Sequence, residues 1–158
     1  VENRKVLIFS QFTSVLQKLG SELSEKNIGY LYLDGSTKAN KRVEMVKEFN
    51  ESEDLKIFLI SLKAGGTGLN LTSSDLVLHF DPWWNPAIED QATDRAHRIG
   101  QQNIVEVIKL IAKDSVEENI IRLQEDKREL INKVISGEEI GSNVIGKLSR
   151  DEIIDLFS

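Results

Sequence analysis

Five short apolar runs, each rich in β-branched or aromatic residues, recur along this chain with amphipathic stretches between them. They are residues 5–10 (KVLIFS), 30–33 (YLYL), 56–61 (KIFLIS), 76–80 (LVLHF) and 104–111 (IVEVIKLI). Runs of this length and composition read as strands. Within 12–26, Val15, Leu16, Leu19 and Leu23 fall at helical spacing, and within 41–49 Val43, Val46 and Phe49 do the same. Strand and helix in alternation predict parallel strands joined by right-handed crossovers, hence an α/β fold of three layers with a central, mainly parallel sheet and helices on both faces.

Local signals mark the later helices. Asn85 followed by Pro86 is a helix start, since asparagine caps and proline occupies the first helical position without losing a needed N–H. That helix is predicted to run to about Arg98 and stop at Gly100. Ser115 and Glu118 form a capping box opening a longer helix, with Val116, Ile120, Leu123, Leu130 and Val134 on one core-facing stripe. Ser149 and Glu152 repeat the box before Ile153, Leu156 and Phe157, and 137–146 reads as a loop.

At 158 residues, with 40% hydrophobic and 29% charged side chains, one domain is expected. No apolar run is long enough to span a membrane, and residues 1–10 lead into a strand and do not read as a signal peptide. The absence of cysteine excludes disulfides and thiolate metal sites. His79 and His97 cannot hold a metal alone, and His79, inside an apolar run, reads as a hydrogen-bonded core residue. The net charge of −6 argues against a broadly basic nucleic-acid surface. It leaves room for a few local contacts, because affinity depends on where cations and amides point.

In an open parallel sheet, ligands bind beyond the carboxyl ends of the strands. Those ends are predicted at 10–13 (SQFT), 34–37 (DGST), 61–66 (SLKAGG) and 81–85 (DPWWN), all on one edge. The first two read equally well as ordinary polar turns. The other two exceed what a turn requires, with Gly65, Gly66 and Gly68 clustered and Trp83 adjoining Trp84 between Pro82 and Pro86. In QATDRAHR, a helix would place Arg95 and Arg98 on one face. Taken alone, two such arginines pair with Glu89, Asp90 or Asp94, a contact worth well under ~1 kcal/mol.

The whole run from Ser61 to Gln101, ending in QATDRAHRIGQ, resembles the second motor lobe of a Swi/Snf-type DNA-translocating ATPase of helicase superfamily two, and the resemblance extends over nearly the whole chain. It implies a RecA-like lobe over 1–111 and a helical extension over 112–158 that braces the lobe or reaches toward a preceding one. By resemblance Arg95 and Arg98 are catalytic arginine fingers, and Gly68, Asn70 and Gln91 join them at the nucleotide. Many superfamily members carry aspartate where Asn70 stands. Gln11, Thr13, Ser61, Lys63, Ala64 and Trp84 match positions that hold DNA, whereas Trp83 is read as capping the core and His97 as packing within its motif. Arg42, near the 34–37 turn, matches a further motif as either an internal pairing residue or a DNA contact.

The same resemblance implies ATP with Mg2+ as cofactor, held mainly by a preceding N-terminal lobe. Neither a phosphate-binding loop nor an Asp–Glu pair serving Mg2+ and water activation is read here, so this chain alone is expected not to hydrolyse ATP. Residues 141–147 imitate the spacing of such a loop, but Leu148 stands where a Mg2+-binding hydroxyl is required. The implied partners are double-stranded DNA, the N-terminal lobe, and RNA polymerase or another DNA-bound protein, with no membrane. The implied location is the cytoplasmic nucleoid or the nucleus, the PWWNP pattern leaning prokaryotic. Three rivals are a non-hydrolysing docking lobe, an RNA-directed lobe of the same superfamily, and a small-molecule enzyme of Rossmann-like topology. The last lacks the glycine fingerprint after the first strand.

Overall fold

The computed structural model describes residues 4–64, 68–83, 85–96, 103–113 and 115–136. Along the chain come β1 (Val6–Ser10), α1 (Thr13–Glu25), β2 (Tyr30–Leu33), α2 (Ala39–Glu51), β3 (Ile57–Ser61), β4 (Leu76–His79), α3 (Pro86–Thr93), β5 (Glu106–Lys109) and α4 (Val116–Ser136). The strands form one sheet in the order β2-β3-β1-β4-β5. Every pairing is parallel, with Val6 beside Ile57 and Leu76, and Leu76 beside Glu106.

Alternate strand residues feed two separate cores. Leu7, Phe9, Leu33, Phe58, Ile60 and Val77 face α2 and α3, meeting Met45, Phe49 and Ala92. Ile8 and Leu59 face the other way, onto Leu16 of α1. Leu7, Phe9, Phe58 and Leu59 have no exposed surface, and each contributes about 1.5–3 kcal/mol by burial. The two-sided core follows from handedness: the β1–α1–β2 connection runs one way along the sheet and β2–α2–β3 runs back, so right-handed crossovers place α1 and α2 on opposite faces. No described helix is long and apolar enough to cross a membrane.

Two expectations about element extent are corrected. The helix opened by Asn85 ends at Thr93 and not near Arg98. Its last turn tightens, because the N–H groups of Arg95 and Ala96 donate three residues back, to Ala92 and Thr93. Arg95 therefore lies in a turn, and Arg98 falls outside the described residues, as do Gly65, Gly66, Trp84, His97, the 137–146 segment and the Ser149–Glu152 box. β5 covers 106–109 of the expected 104–111, since its partner β4 offers only four residues.

The apolar stripe of α4 is only partly covered. Leu130 is buried, but Val116 and Leu123 are 73% and 41% exposed, and Gln124 and Lys127 are buried beside Leu130. A helix of 21 residues packs here on one of eight, so only its middle finds cover. Its cap also differs from the expected box. Ser115 Oγ accepts from the N–H of Glu117, and it is Glu117, not Glu118, that reaches back, accepting the N–H of Ala112.

Candidate functional site

Crossovers leave β1 and β4 in opposite directions, and these two strands are neighbours, so the crevice of the fold opens at their carboxyl ends. Asp81 closes it from below. Its carboxylate accepts the hydroxyl of Ser10 and, at 2.9 Å, the N–H of Gln11. Ser10 Oγ in turn accepts the N–H of Phe12 at 3.1 Å, and the Gln11 amide donates to the carbonyl of Pro82 at 3.3 Å. Burial pushes the Asp81 carboxyl above its ordinary range, against the hydrogen bonds of Ser10 and Gln11. Sequence reasoning passed Asp81 over; its place as the first polar residue after an apolar strand was the available signal.

Above this latch, Gln11, Leu62, Lys63, Trp83, Ile88 and Gln91 line a cavity of 260 Å³. α3 supplies Gln91 because its start is fixed: Asn85 caps the N–H of Ala87, and Pro86 fills the first position, as expected. Trp83 is gripped on both sides of its main chain. Its N–H donates to Glu89 at 2.8 Å and its carbonyl accepts the Gln124 amide of α4. Its ring packs against the larger core, as expected for a core cap. Glu89 is 1% exposed and pairs at 2.7 Å with Lys109 of β5. Glu89, named from the sequence as a surface partner for the arginines, is instead a buried partner of Lys109 and Trp83, and Gln124 was not singled out.

Of the residues matched to DNA contacts, Gln11 and Lys63 thus share a cavity, and Gln91, matched to the nucleotide, joins them. Thr13 is exposed at the first position of α1, whereas Ser61 and Ala64 are buried and can offer only main-chain groups outward. Trp84 lies outside the described residues.

A second, larger groove of 530 Å³ runs along α2, lined among others by Thr37, Arg42, Gly68 and Asn70. Gly68 has φ +66° with no atom within 4 Å of where a Cβ would stand, so the glycine supplies a left-handed turn with open space before it. Arg42 is half-buried, its Nε donating to the carbonyl of Thr37 at 2.8 Å and its Nη2 to those of Asp34 and Gly35 at 3.3 Å each. The Ser36 hydroxyl, and after it the Tyr32 hydroxyl, hold the Asp34 carboxyl below its ordinary range.

The described residues of the four strand ends share the carboxyl edge of the parallel sheet, as expected, with Trp83 beside Gln11, Leu62 and Lys63. Asn70 has crossed to the amino end of the sheet: its carbonyl accepts from Asn50, whose own carbonyl accepts from Lys5 just before β1. There the N–H of Leu71 donates at 2.9 Å to the carbonyl of Arg95. Arg95 is 5% exposed, and its Nε donates to the carbonyl of Gln91 at 3.1 Å. Gln91, Arg95 and the Asn70 segment are therefore one connected unit. Guanidinium, amide and open main-chain N–H groups suit phosphate oxygens. Among the described residues no cluster of three acidic or histidine groups is placed to hold a metal. His79 behaves as expected, stacked on Phe9 with its Nε2 3.1 Å from Thr93 Oγ1, and burial lowers its pKa.

The family described as helicase conserved C-terminal domain matches residues 1–100. An "uncharacterized ATP-dependent helicase" of Mycoplasma pneumoniae is 41% identical over 158 residues, covering 99% of this chain and 15% of that protein. The human "chromatin-remodeling ATPase INO80" is 42% identical over 136 residues, 86% of this chain and 9% of its own length. Among solved structures, the C-terminal part of the Fun30 ATPase domain superposes with a TM-score of 0.75 at 39% identity, over 97% of this chain and 46% of that one. The chain thus spans a small fraction of these relatives. Its parallel sheet, its two-faced core and these likenesses agree: the chain belongs to the helicase conserved C-terminal domain family, as a RecA-like lobe of the Swi/Snf type.

Proposed function

We propose that this lobe is the second half of an ATP-driven motor that moves along double-stranded DNA. It works against an N-terminal lobe that holds ATP and Mg2+ in its own phosphate-binding loop. The observation that carries this is the continuity from Gln11 and Lys63, around one cavity with Gln91, to Arg95 and the Asn70 segment. Such an arrangement links a backbone-facing set to a phosphate-facing set within one rigid lobe. Gln11, Thr13 and Lys63, with main-chain groups near Ser61 and Ala64 and the ring of Trp84, serve the DNA backbone. Gly68, Asn70, Gln91, Arg95 and Arg98 serve the nucleotide.

When bound, ATP supplies a γ-phosphoryl group whose transferring charge needs compensation, the task of arginine fingers. Arg98 and Arg95 carry that role here. Arg95 is buried in this lobe, so its guanidinium acts at a phosphate only once the approach of the other lobe loosens the Gln91 contact. Lobe closure and opening then advance the protein along one strand of the duplex. Without the first lobe, the chain binds but does not hydrolyse. Relatives named as a chromatin-remodeling ATPase and a DNA repair protein support duplex DNA as the partner class, with work in the nucleus or nucleoid.

The test is ATP turnover by a two-lobe protein carrying this lobe, with and without duplex DNA, with Arg98→Ala beside the unsubstituted protein. Duplex-stimulated turnover that falls by roughly 10³-fold or more in the variant is expected. Stimulation indifferent to Arg98 removes the arginine from the mechanism. Turnover stimulated by single-stranded RNA and not by duplex DNA transfers the lobe to an RNA-directed motor.

A further inference from the structure

Asn50 is the last residue but one of α2, a residue type whose amide favours partners outside the helix. Its Nδ2 donates at 2.9 Å to the carbonyl of Asn70, and its Oδ1 accepts the N–H of Ser73 at 3.4 Å. Its own carbonyl accepts from Lys5 Nζ at 3.3 Å, which fixes the helix end to the chain entering β1. The hydroxyl of Ser74 donates to the carbonyl of Lys5 at 2.9 Å and closes the same circuit.

The carbonyl of Asn70 and the N–H of Leu71 belong to a single peptide group. That N–H donates to the carbonyl of Arg95. A peptide group is planar, so its C=O and N–H turn together. Two residues upstream stands Gly68 at φ +66°, where the backbone is at its most permissive. The plane between Asn70 and Leu71 thus needs an external hold, and the Asn50 amide gives it one.

We propose that Asn50 is a positioning residue: by holding the Asn70–Leu71 peptide plane against α2, it sets where the Arg95 turn stands. Its effect on turnover rests on the role given to Arg95 above; its effect on the peptide plane does not. Loss of the amide lets the plane rotate about the segment that follows Gly68, the Leu71 N–H leaves the Arg95 carbonyl, and the arginine turn loses its register with Asn70. Asn50 reaches neither nucleotide nor DNA in this account.

The experiment uses a two-lobe protein carrying this lobe, with Asn50→Ala and Asn50→Asp, each alone and combined with Arg95→Ala. Aspartate keeps the acceptor for Ser73 and loses the donor to Asn70, so it separates the two bonds. Hydrogen exchange at the Leu71 amide, kcat and KM for ATP at saturating duplex are measured. Both single variants are expected to speed Leu71 exchange by roughly 10-fold while the amides of β1 and β3 keep their protection. Both are expected to lower kcat roughly 10-fold with KM within about 3-fold, and to add nothing in the Arg95→Ala background. Unchanged Leu71 exchange, an equal acceleration across the β1 and β3 amides, an Asn50→Asp variant with unaltered kcat, or effects that multiply with Arg95→Ala would each overturn the proposal. If Arg95→Ala itself leaves turnover intact, the motor role of Arg95 fails, and Leu71 exchange alone decides whether Asn50 holds the plane.

Discussion

Glu89 and Lys109 meet at 2.7 Å, joining α3 to the edge strand β5 through a carboxylate that is 1% exposed. The other oxygen of Glu89 holds the Trp83 N–H. One buried charge thereby fixes a helix, a strand and the turn that lines the Gln91 cavity. Removing Lys109 strands that charge in the core. Lys109→Met is expected to cost about 3–5 kcal/mol in urea unfolding, whereas Glu89→Gln, which keeps the acceptor for Trp83, costs less. A double variant, Glu89→Leu with Lys109→Met, recovers part of the loss, and failure to recover any would deny the pairing its weight.

His79 sets a lower pH limit on stability. Burial disfavours its charged form, with Glu89 and Asp90 partly opposing this and Lys109 reinforcing it. Its folded pKa is depressed, so the stability it allows is complete above the unfolded value of about 6.5 and is lost as pH falls from there toward the folded value. Thermal midpoints measured from pH 8 down to 5 are expected to drop through this window. In His79→Gln the drop flattens, and an unchanged slope would move the effect to another group.

Asp81 has the opposite sign. Its folded pKa is raised, chiefly by burial, so the folded state holds the proton more readily and stability falls as pH rises from about 3.9, the unfolded value, through the folded one. Asp81→Asn removes this slope while keeping an acceptor for the Gln11 N–H. Asp81→Ala leaves that N–H without its acceptor and the Ser10 hydroxyl with only the Phe12 carbonyl at 3.3 Å, and is expected to cost about 1–3 kcal/mol at neutral pH. Equal stability of the two variants would show that the latch contributes nothing.

Gly20 makes a steric prediction. A Cβ there would stand 2.7 Å from the Tyr30 hydroxyl oxygen and 2.9 Å from Cζ, closer than the ring can accept. Gly20→Ala gains about 1 kcal/mol of helix preference and loses about 1–3 kcal/mol to overpacking. The net expectation is destabilisation, read from the thermal midpoint. In a Tyr30→Leu background the ring is gone, and the same substitution is expected to stabilise.

The central strands β1, β3 and β4 were legible because burial on both faces demands continuous apolar runs, and the more exposed edge strands β2 and β5 because they are rich in aromatic or β-branched residues; each observed strand lies within the run predicted for it. The Asn85–Pro86 start was equally plain, since capping is a local matter. The end of α3 was not, because a bond from Leu71 holds the turn that closes it, and no spacing within QATDRAHR reports a partner twenty-four residues upstream. Gln11, Lys63 and Gln91 could be named from their motifs, and the structure sets them around one cavity. Asp81, Gln124 and Asn50 escaped notice, and Glu89 was legible only as a surface partner for the arginines, for a shared reason: each owes its position to a main-chain group on another element, and a main-chain group leaves no mark in the sequence. The apolar stripe of α4 misled because periodicity shows which side chains share a face, not whether a neighbour is long enough to cover it.

The Asp81 latch joins residues that stand 70 apart in the chain. β1 precedes the other four strands of this sheet in the chain and lies at the middle of the sheet, yet one of its two flanks stays bare until β4 has been made. Contacts so distant in sequence form late, because loop closure must precede them. The crevice consequently cannot come into being before Asp81 has been made, and a chain still short of it carries Gln11 and Lys63 without a floor beneath them.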